Sequence, residues 1–230
     1  MTKRLNWRNM AKMTLACLAV AVVFISCEKD ETGGSGSIGG SQSEIGQVGN
    51  SFRVLGSIPG VNVSSIVAMV ATLDDGISTI SASASITNTS YLSMIQNAFD
   101  TGILTGGQIS GTRISGDLKY RFTENGIQSV LPDGKLLTVI KYNAKVGDVY
   151  SLKVGANTIR REVTAVSNEN DFSWDGMKIK TITVKETGRG IPGVDYLEYR
   201  CNHKFGIVAG TVYFEDGTFV SSTGKSSATN

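Results

Sequence analysis

Residues 118–123 read LKYRFT, and Asn125-Gly126 follows almost at once. Leu118, Tyr120 and Phe122 are apolar, and Lys119, Arg121 and Thr123 between them are polar. A period of two puts the apolar side chains on one face of a strand and the polar ones on the other. Asn-Gly then supplies the positive φ that a tight hairpin turn needs. The same texture repeats outward from this stretch. Tyr150, Leu152 and Val154 alternate with Ser151 and Lys153, and Leu197, Tyr199 and Cys201 alternate with Glu198, Arg200 and Asn202. Asp75-Gly76, Asp133-Gly134, Asp175-Gly176 and Asp216-Gly217 mark further turns. Strands joined by such turns run antiparallel, with one face wet. The sequence therefore predicts a mainly β domain of about ten strands with one short helix, arranged as an antiparallel sandwich or a strongly curved sheet.

The helix is expected over residues 91–99, where Tyr91, Met94, Ile95 and Ala98 recur at spacings of three and four. Asn88, Thr89 or Ser90 can cap its start, and Gly102 can close its end. Residues 65–73 are apolar on both phases and fit a helix or a strand, but the Asp75-Gly76 turn and the alternating run 77–86 favour a hairpin. Residues 102–116 read as a Gly/Ser/Thr loop or a weak edge strand. In residues 177–184 the apolar phase slips from Met177 and Ile179 to Ile182 and Val184, which predicts a bulge. Residues 51–222 are expected to be a single β-rich domain, and 223–230 a disordered polar tail. A domain of about 170 residues can bury a core without disulfides.

The chain has 230 residues with 18% charged, 27 glycines and 3 prolines. That composition excludes collagen, a coiled coil and a highly charged disordered chain. Lys3, Arg4, Arg8 and Lys12 are four of the 22 basic residues, and residues 1–26 carry no acid. The remainder holds 18 basic against 20 acidic residues, a net charge of −2. Such a balance gives no basic face for nucleic acid.

Those four cations precede an apolar run of 13 residues, 13–25, which ends at Ser26-Cys27. The run is too short for the roughly 20 residues that span a bilayer, and it fits a cleavable signal peptide over 1–26. Phe24-Ile25-Ser26-Cys27 resembles a bacterial lipobox, with Phe24 departing from the usual aliphatic first position and Ser26 meeting the small-residue requirement at the cleavage site. Lys29-Asp30-Glu31 after the cysteine resembles the surface-export signal of Bacteroidota lipoproteins. The segment HKFGIVAGTVYFEDGT, residues 203–218, is similar to lipoproteins of the same phylum that carry no assigned activity. The resemblance implies cleavage after Ser26, acylation of Cys27 by two or three chains, and display on the outer membrane, exposed at the cell surface. One acyl chain alone holds a protein only marginally. Residues 27–50 are then a lipidated tether, because 33–50 hold seven glycines, four serines and no aromatic residue.

Three cysteines occur, Cys17, Cys27 and Cys201. With Cys17 in the leader and Cys27 acylated, Cys201 has no disulfide partner within the chain. His203 is the single histidine, two residues on along the same expected strand. A thiolate–imidazole pair at that spacing is within reach of contact. Cys201 nevertheless sits on an apolar phase, where a buried thiol is the ordinary outcome. No further Cys or His exists to complete a zinc shell, so no metal or other cofactor is expected. Asp74/Asp75 and Glu169/Asp171 are carboxylate pairs at turns or loops, and nothing selects either pair for catalysis. Seven tyrosines, at 91, 120, 142, 150, 196, 199 and 213, are spread over the domain, and most read as core.

The expected function is that of a non-catalytic module on the cell surface, held to the membrane by its lipid and binding a glycan, a protein or another host component. The alternative is a carrier that holds an apolar ligand within a curved sheet. An exposed aromatic row would favour the first, and an apolar cavity behind the helix the second.

Overall fold

The computed structural model describes residues 36–55, 65–87, 89–100, 107–131, 134–154, 157–191 and 193–229. The N-terminal half supplies β1 (Ser51–Leu55), β2 (Val67–Asp74), β3 (Ile77–Ser85), helix α1 (Thr89–Asp100), β4 (Gly107–Ser110), β5 (Arg113–Thr123), β6 (Gly126–Val130) and β7 (Leu136–Lys141). The C-terminal half supplies β8 (Val149–Val154), β9 (Asn157–Val166), β10 (Phe172–Trp174), β11 (Met177–Ile179), β12 (Ile182–Thr187), β13 (Val194–Asn202), β14 (Gly206–Phe214) and β15 (Phe219–Ser226). The fold is mainly β and antiparallel, as the alternation predicts. The described residues hold fifteen strands rather than about ten, with β4, β10 and β11 only three or four residues long.

Thirteen strands make one sheet, in the order β7-β6-β5-β3-β2-β1-β15-β14-β13-β12-β9-β8, with β4 also paired to β5. Of the two architectures expected, the chain adopts the strongly curved sheet. Its two end strands, β7 and β8, come together. Leu131 and Leu137 pack there against Leu152 and Ile159. Arg161 on β9 donates from Nη1 to the Thr138 carbonyl at 2.9 Å, and the Tyr199 hydroxyl on β13 donates to the Val139 carbonyl at 3.2 Å. At this seam, side chains satisfy β7 carbonyls where a backbone ladder does so elsewhere. The result is a nearly closed barrel.

The enclosed face is the apolar phase of each strand. Tyr120 and Phe122 from the LKYRFT stretch meet Ile80, Ile140, Val163 and Val184 in the largest cluster. Helix α1 closes one end. Its Ile95 is buried with Ile86, Leu197, Val212 and Phe214. The Phe99 ring rests directly on Gly107, so close that a Cβ at residue 107 would lie 2.6 Å from the ring. A side chain at residue 107 would have to displace the Phe99 ring, so the glycine serves space and not conformation. The cap residue Asn88 and the closing Gly102 lie outside the described residues.

The turn reading holds at two hairpins in detail. Asp75 and Gly76 take φ of 46° and 71°, and Asp175 and Gly176 take 46° and 79°. Positive φ at both central residues is the I′ geometry, whose twist matches that of the flanking strands. Residues 65–73 supply strand β2, so the hairpin reading is the right one.

Three expectations need correction. The tether expected over 27–50 gives way to structure from residue 36. Gln128 accepts the Ile38 N–H at 3.1 Å and donates to the Gly36 carbonyl at 3.2 Å. A 3-10 turn, Glu44–Gly46, then drives Ile45 into the main core, where it is 1% exposed. A Gly/Ser-rich composition does not prevent order when backbone groups find partners and one side chain finds a hole. The tail expected over 223–230 belongs in part to β15, which runs to Ser226 between two neighbouring strands. The phase slip over 177–184 marks a break between sheets, and the register also shifts against β9 between Thr183 and Val184, as a bulge does. Met177–Ile179 pairs with β10, and Ile182–Thr187 joins the large sheet. The weak edge strand allowed for within 102–116 is present as β4, four residues paired to the start of β5.

Candidate binding surface

Strand β5 sets the geometry of the molecule's outer face. Near its Thr123 end the N-terminal segment is strapped down. Gln42 bridges to Thr123, Arg121 donates from Nη1 to Ser37 Oγ at 2.9 Å, and Asn125 donates to the Ile38 carbonyl at 3.3 Å. The chain thus enters the domain at this end. The Arg113 end lies ten positions away, about 33 Å at the usual rise per residue.

A groove of about 560 Å³ opens on the outer face toward the Arg113 end. Cross-strand register builds it. Met69, Ser81 and Asp117 form one row across β2, β3 and β5, and Val67, Ser83 and Ser115 form the next. Gln108 on β4 is opposite Ser115 on the far side. Alternation explains the apolar contribution. Val70 points inward and is fully buried, so Met69 and Val67 on the other phase point out, 45% and 56% exposed. The charged groups are held by the serines. Ser81 Oγ donates to Asp117 Oδ1 at 2.7 Å, and Arg113 Nη2 donates to Ser83 Oγ at 2.8 Å. Two exposed aliphatic side chains therefore flank a hydroxyl floor with one cation and one anion of fixed orientation.

A second outer feature is aromatic. Tyr196, Tyr213 and Phe219 are opposite one another across β13, β14 and β15. The first two rings stack at 4.3 Å and 19°, and Phe219 follows at 5.7 Å and 37°. Lys185 Nζ lies 3.8 Å from the Tyr196 ring centre, a cation–π contact. Stacking along the row turns the ring faces toward each other and the edges toward water. Phe219, 61% exposed, ends the row. An exposed aromatic row is thus present, but as a self-stacked ladder more than a flat platform.

Ser26, Cys27, Lys29, Asp30 and Glu31 lie outside the described residues. Cys201 is fully buried on β13. Burial pushes its thiol well above the ordinary range, with Arg161 only partly opposing it. The expected strand position of His203 is corrected, because β13 ends at Asn202. Asn202 Oδ1 accepts the N–H groups of Lys204 and Phe205, which turns the chain there. His203 is exposed in that turn, its ring edge-on to Tyr142 at 6.5 Å. The thiol and the imidazole thus sit in different environments, one sealed and one wet. Asp75 serves the hairpin turn, and Asp171 accepts from Ser167 Oγ at 2.8 Å. Among the described residues, no three His, Cys, Asp or Glu side chains converge as a metal site.

Sequence reading misses a buried ionic cluster. Glu186 Oε2 accepts from Arg161 Nε at 2.6 Å, and its other oxygen accepts from Arg189 Nε. All three side chains are at most 9% exposed. Burial opposes the ionised carboxyl, but the guanidiniums of Arg189 and Arg161, with their hydrogen bonds, outweigh it and hold the group down at about 2. The signal in the sequence was the charged residues falling on the inward phase of β9 and β12. Comparison with protein-family models, curated proteins and solved structures finds no match to this chain.

Proposed function

We propose that the chain is a lipid-anchored, surface-displayed binding module without catalytic activity, and that its ligand occupies the groove over β2, β3, β5 and β4. One observation carries this reading. Exposed Val67 and Met69 stand beside the pre-oriented side chains of Arg113 and Asp117, toward the end of β5 remote from the N-terminal strap. An anchor at Cys27 would reach residue 36 through eight intervening residues. A flexible chain of that length would span about 16 Å r.m.s.. That holds the strap end near the lipid headgroups and turns the groove away from them. A non-catalytic role is supported by the sealed thiol of Cys201 and its separation in environment from His203.

The carrier reading has less support. The space behind α1 is filled by Ile86, Ile95, Leu197, Val212 and Phe214, and the barrel interior also holds the Arg161–Glu186–Arg189 cluster. Metabolic labelling with a palmitate analogue tests the anchor. Cys27→Ala should abolish the label, and a labelled mutant would refute the assignment. Protease added to intact cells tests display. It should release the domain by cutting within residues 28–35. Replacing Lys29, Asp30 and Glu31 together by alanine should protect the chain, and unchanged release would remove the export reading.

A further inference from the structure

We infer that the groove is built for a short, uncharged oligosaccharide, a conclusion that rests on the binding-module reading and narrows it. The floor presents the hydroxyls of Ser81, Ser83 and Ser115 and the side-chain amide of Gln108. Ser81 gives its O–H to Asp117 and keeps its acceptor lone pairs, while Ser83, Ser115 and Gln108 can both donate and accept. A sugar hydroxyl does the same, so such a floor matches a polyhydroxyl ligand better than one that only accepts. Met69 and Val67 offer an apolar wall to the C–H face of a pyranose ring. Arg113 and Asp117 are four residues apart on one strand, about 14 Å, and close the two ends of the floor. With one charge of each sign, the groove has no net charge to reward an ionic ligand, and Asp117 disfavours an acidic sugar at its end.

Other ligand classes fit less well. A peptide adding as a strand needs a free sheet edge for its main chain. The groove lies instead mainly on a sheet face, where ladders already join β2 to β3, β3 to β5 and β5 to β4, and of its lining Gly107 and Gln108 stand on the four-residue edge strand β4. A purely apolar ligand would strip water from the hydroxyls and both charges without replacing those hydrogen bonds. The volume of about 560 Å³ falls within the usual range for small-ligand sites.

Amide NMR on the full chain, titrated with a panel of neutral trisaccharides of gluco, manno, galacto and xylo configuration in α and β linkage, tests the inference. At least one should shift the amides of Ser81, Ser83 and Ser115. Arg113→Ala and Asp117→Asn should each weaken that binding at least tenfold with the melting temperature unchanged. Silence across the neutral panel, or trigalacturonate binding there as tightly, would overturn the saccharide assignment. Shifts of these amides by an uncharged tetrapeptide alone would overturn it while leaving a binding module. Shifts of interior amides such as those of Val163 and Val184 on adding palmitate, with the groove silent, would overturn the module itself.

Discussion

Glu186 concentrates more electrostatic consequence than any other described side chain. Two guanidiniums depend on its one carboxylate inside the barrel. Its folded pKa of about 2 lies below the ordinary value of 4.5. The unfolded chain therefore takes up the proton first as pH falls. The stabilisation is complete above about pH 4.5, declines below it, and is lost through about pH 2. It is worth on the order of 3 kcal/mol. Urea midpoints measured from pH 7 to pH 2 should fall across that window, and Glu186→Gln should flatten the fall. At pH 7 the same substitution should cost about 3–5 kcal/mol, since it leaves the guanidiniums buried without their counter-charge. Equal urea midpoints for mutant and parent would show that the cluster carries no such burden. Cys201 makes a simpler case. Cys201→Ser should lower stability by about 1–3 kcal/mol, because a hydroxyl is placed where an apolar group was packed. A thiol reagent should modify the native chain far more slowly than the unfolded one. Fast native labelling that His203→Ala slows would instead restore a nucleophile.

Elements differ in how openly their sequences announce them. LKYRFT gives its inward and outward faces at sight, and the Asp-Gly pairs give their turns, because both effects are local. The strap around Ile45 was hidden, since this one fully buried side chain among its apolar residues packs against strands far along the chain. Ile45→Ala should cost about 2–4 kcal/mol, as deletion at a fully packed site does. Thermal melts of the full chain would measure it, and a loss under 0.5 kcal/mol would return the segment to the status of a tether. The run 177–184 was only partly legible, for a different reason. A bulge and a change of sheet both shift the apolar phase, and only the partner strands tell them apart. The groove was also illegible, because Val67 and Met69 meet Ser115 and Asp117 through register with β3, and nothing near either pair in sequence signals it. The aromatic residues of the ladder were visible as tyrosines but not as a row, since their alignment depends on three separate strands.

The whole molecule is held by pairing between its two ends. β15 lies between β1 and β14, so the last strand completes the middle of the sheet rather than its edge. Asn50 reinforces the join. Its Oδ1 accepts from Ser226 Oγ, Ser227 Oγ and the Ala228 N–H at 2.7–2.9 Å, and its Nδ2 donates to the Ile45 carbonyl at 2.6 Å. The polar run SSTGKS within β15 hid this role, because its place is fixed by backbone ladders on both sides more than by apolar burial. Truncation after residue 218 should abolish cooperative unfolding in circular dichroism, whereas removal of residue 230 alone should leave the melt unchanged. A sharp transition in the shorter chain would mean that the two halves fold without their central strand.

That placement also sets a timetable. A ribosome delivers β1 long before its partner, the residues of β15. Until they appear, neither β1 nor β14 can find the neighbour it has in the finished sheet. Completion of the sheet therefore waits for β15, and until it arrives β1 and β14 each present an unpaired edge that a second chain could occupy.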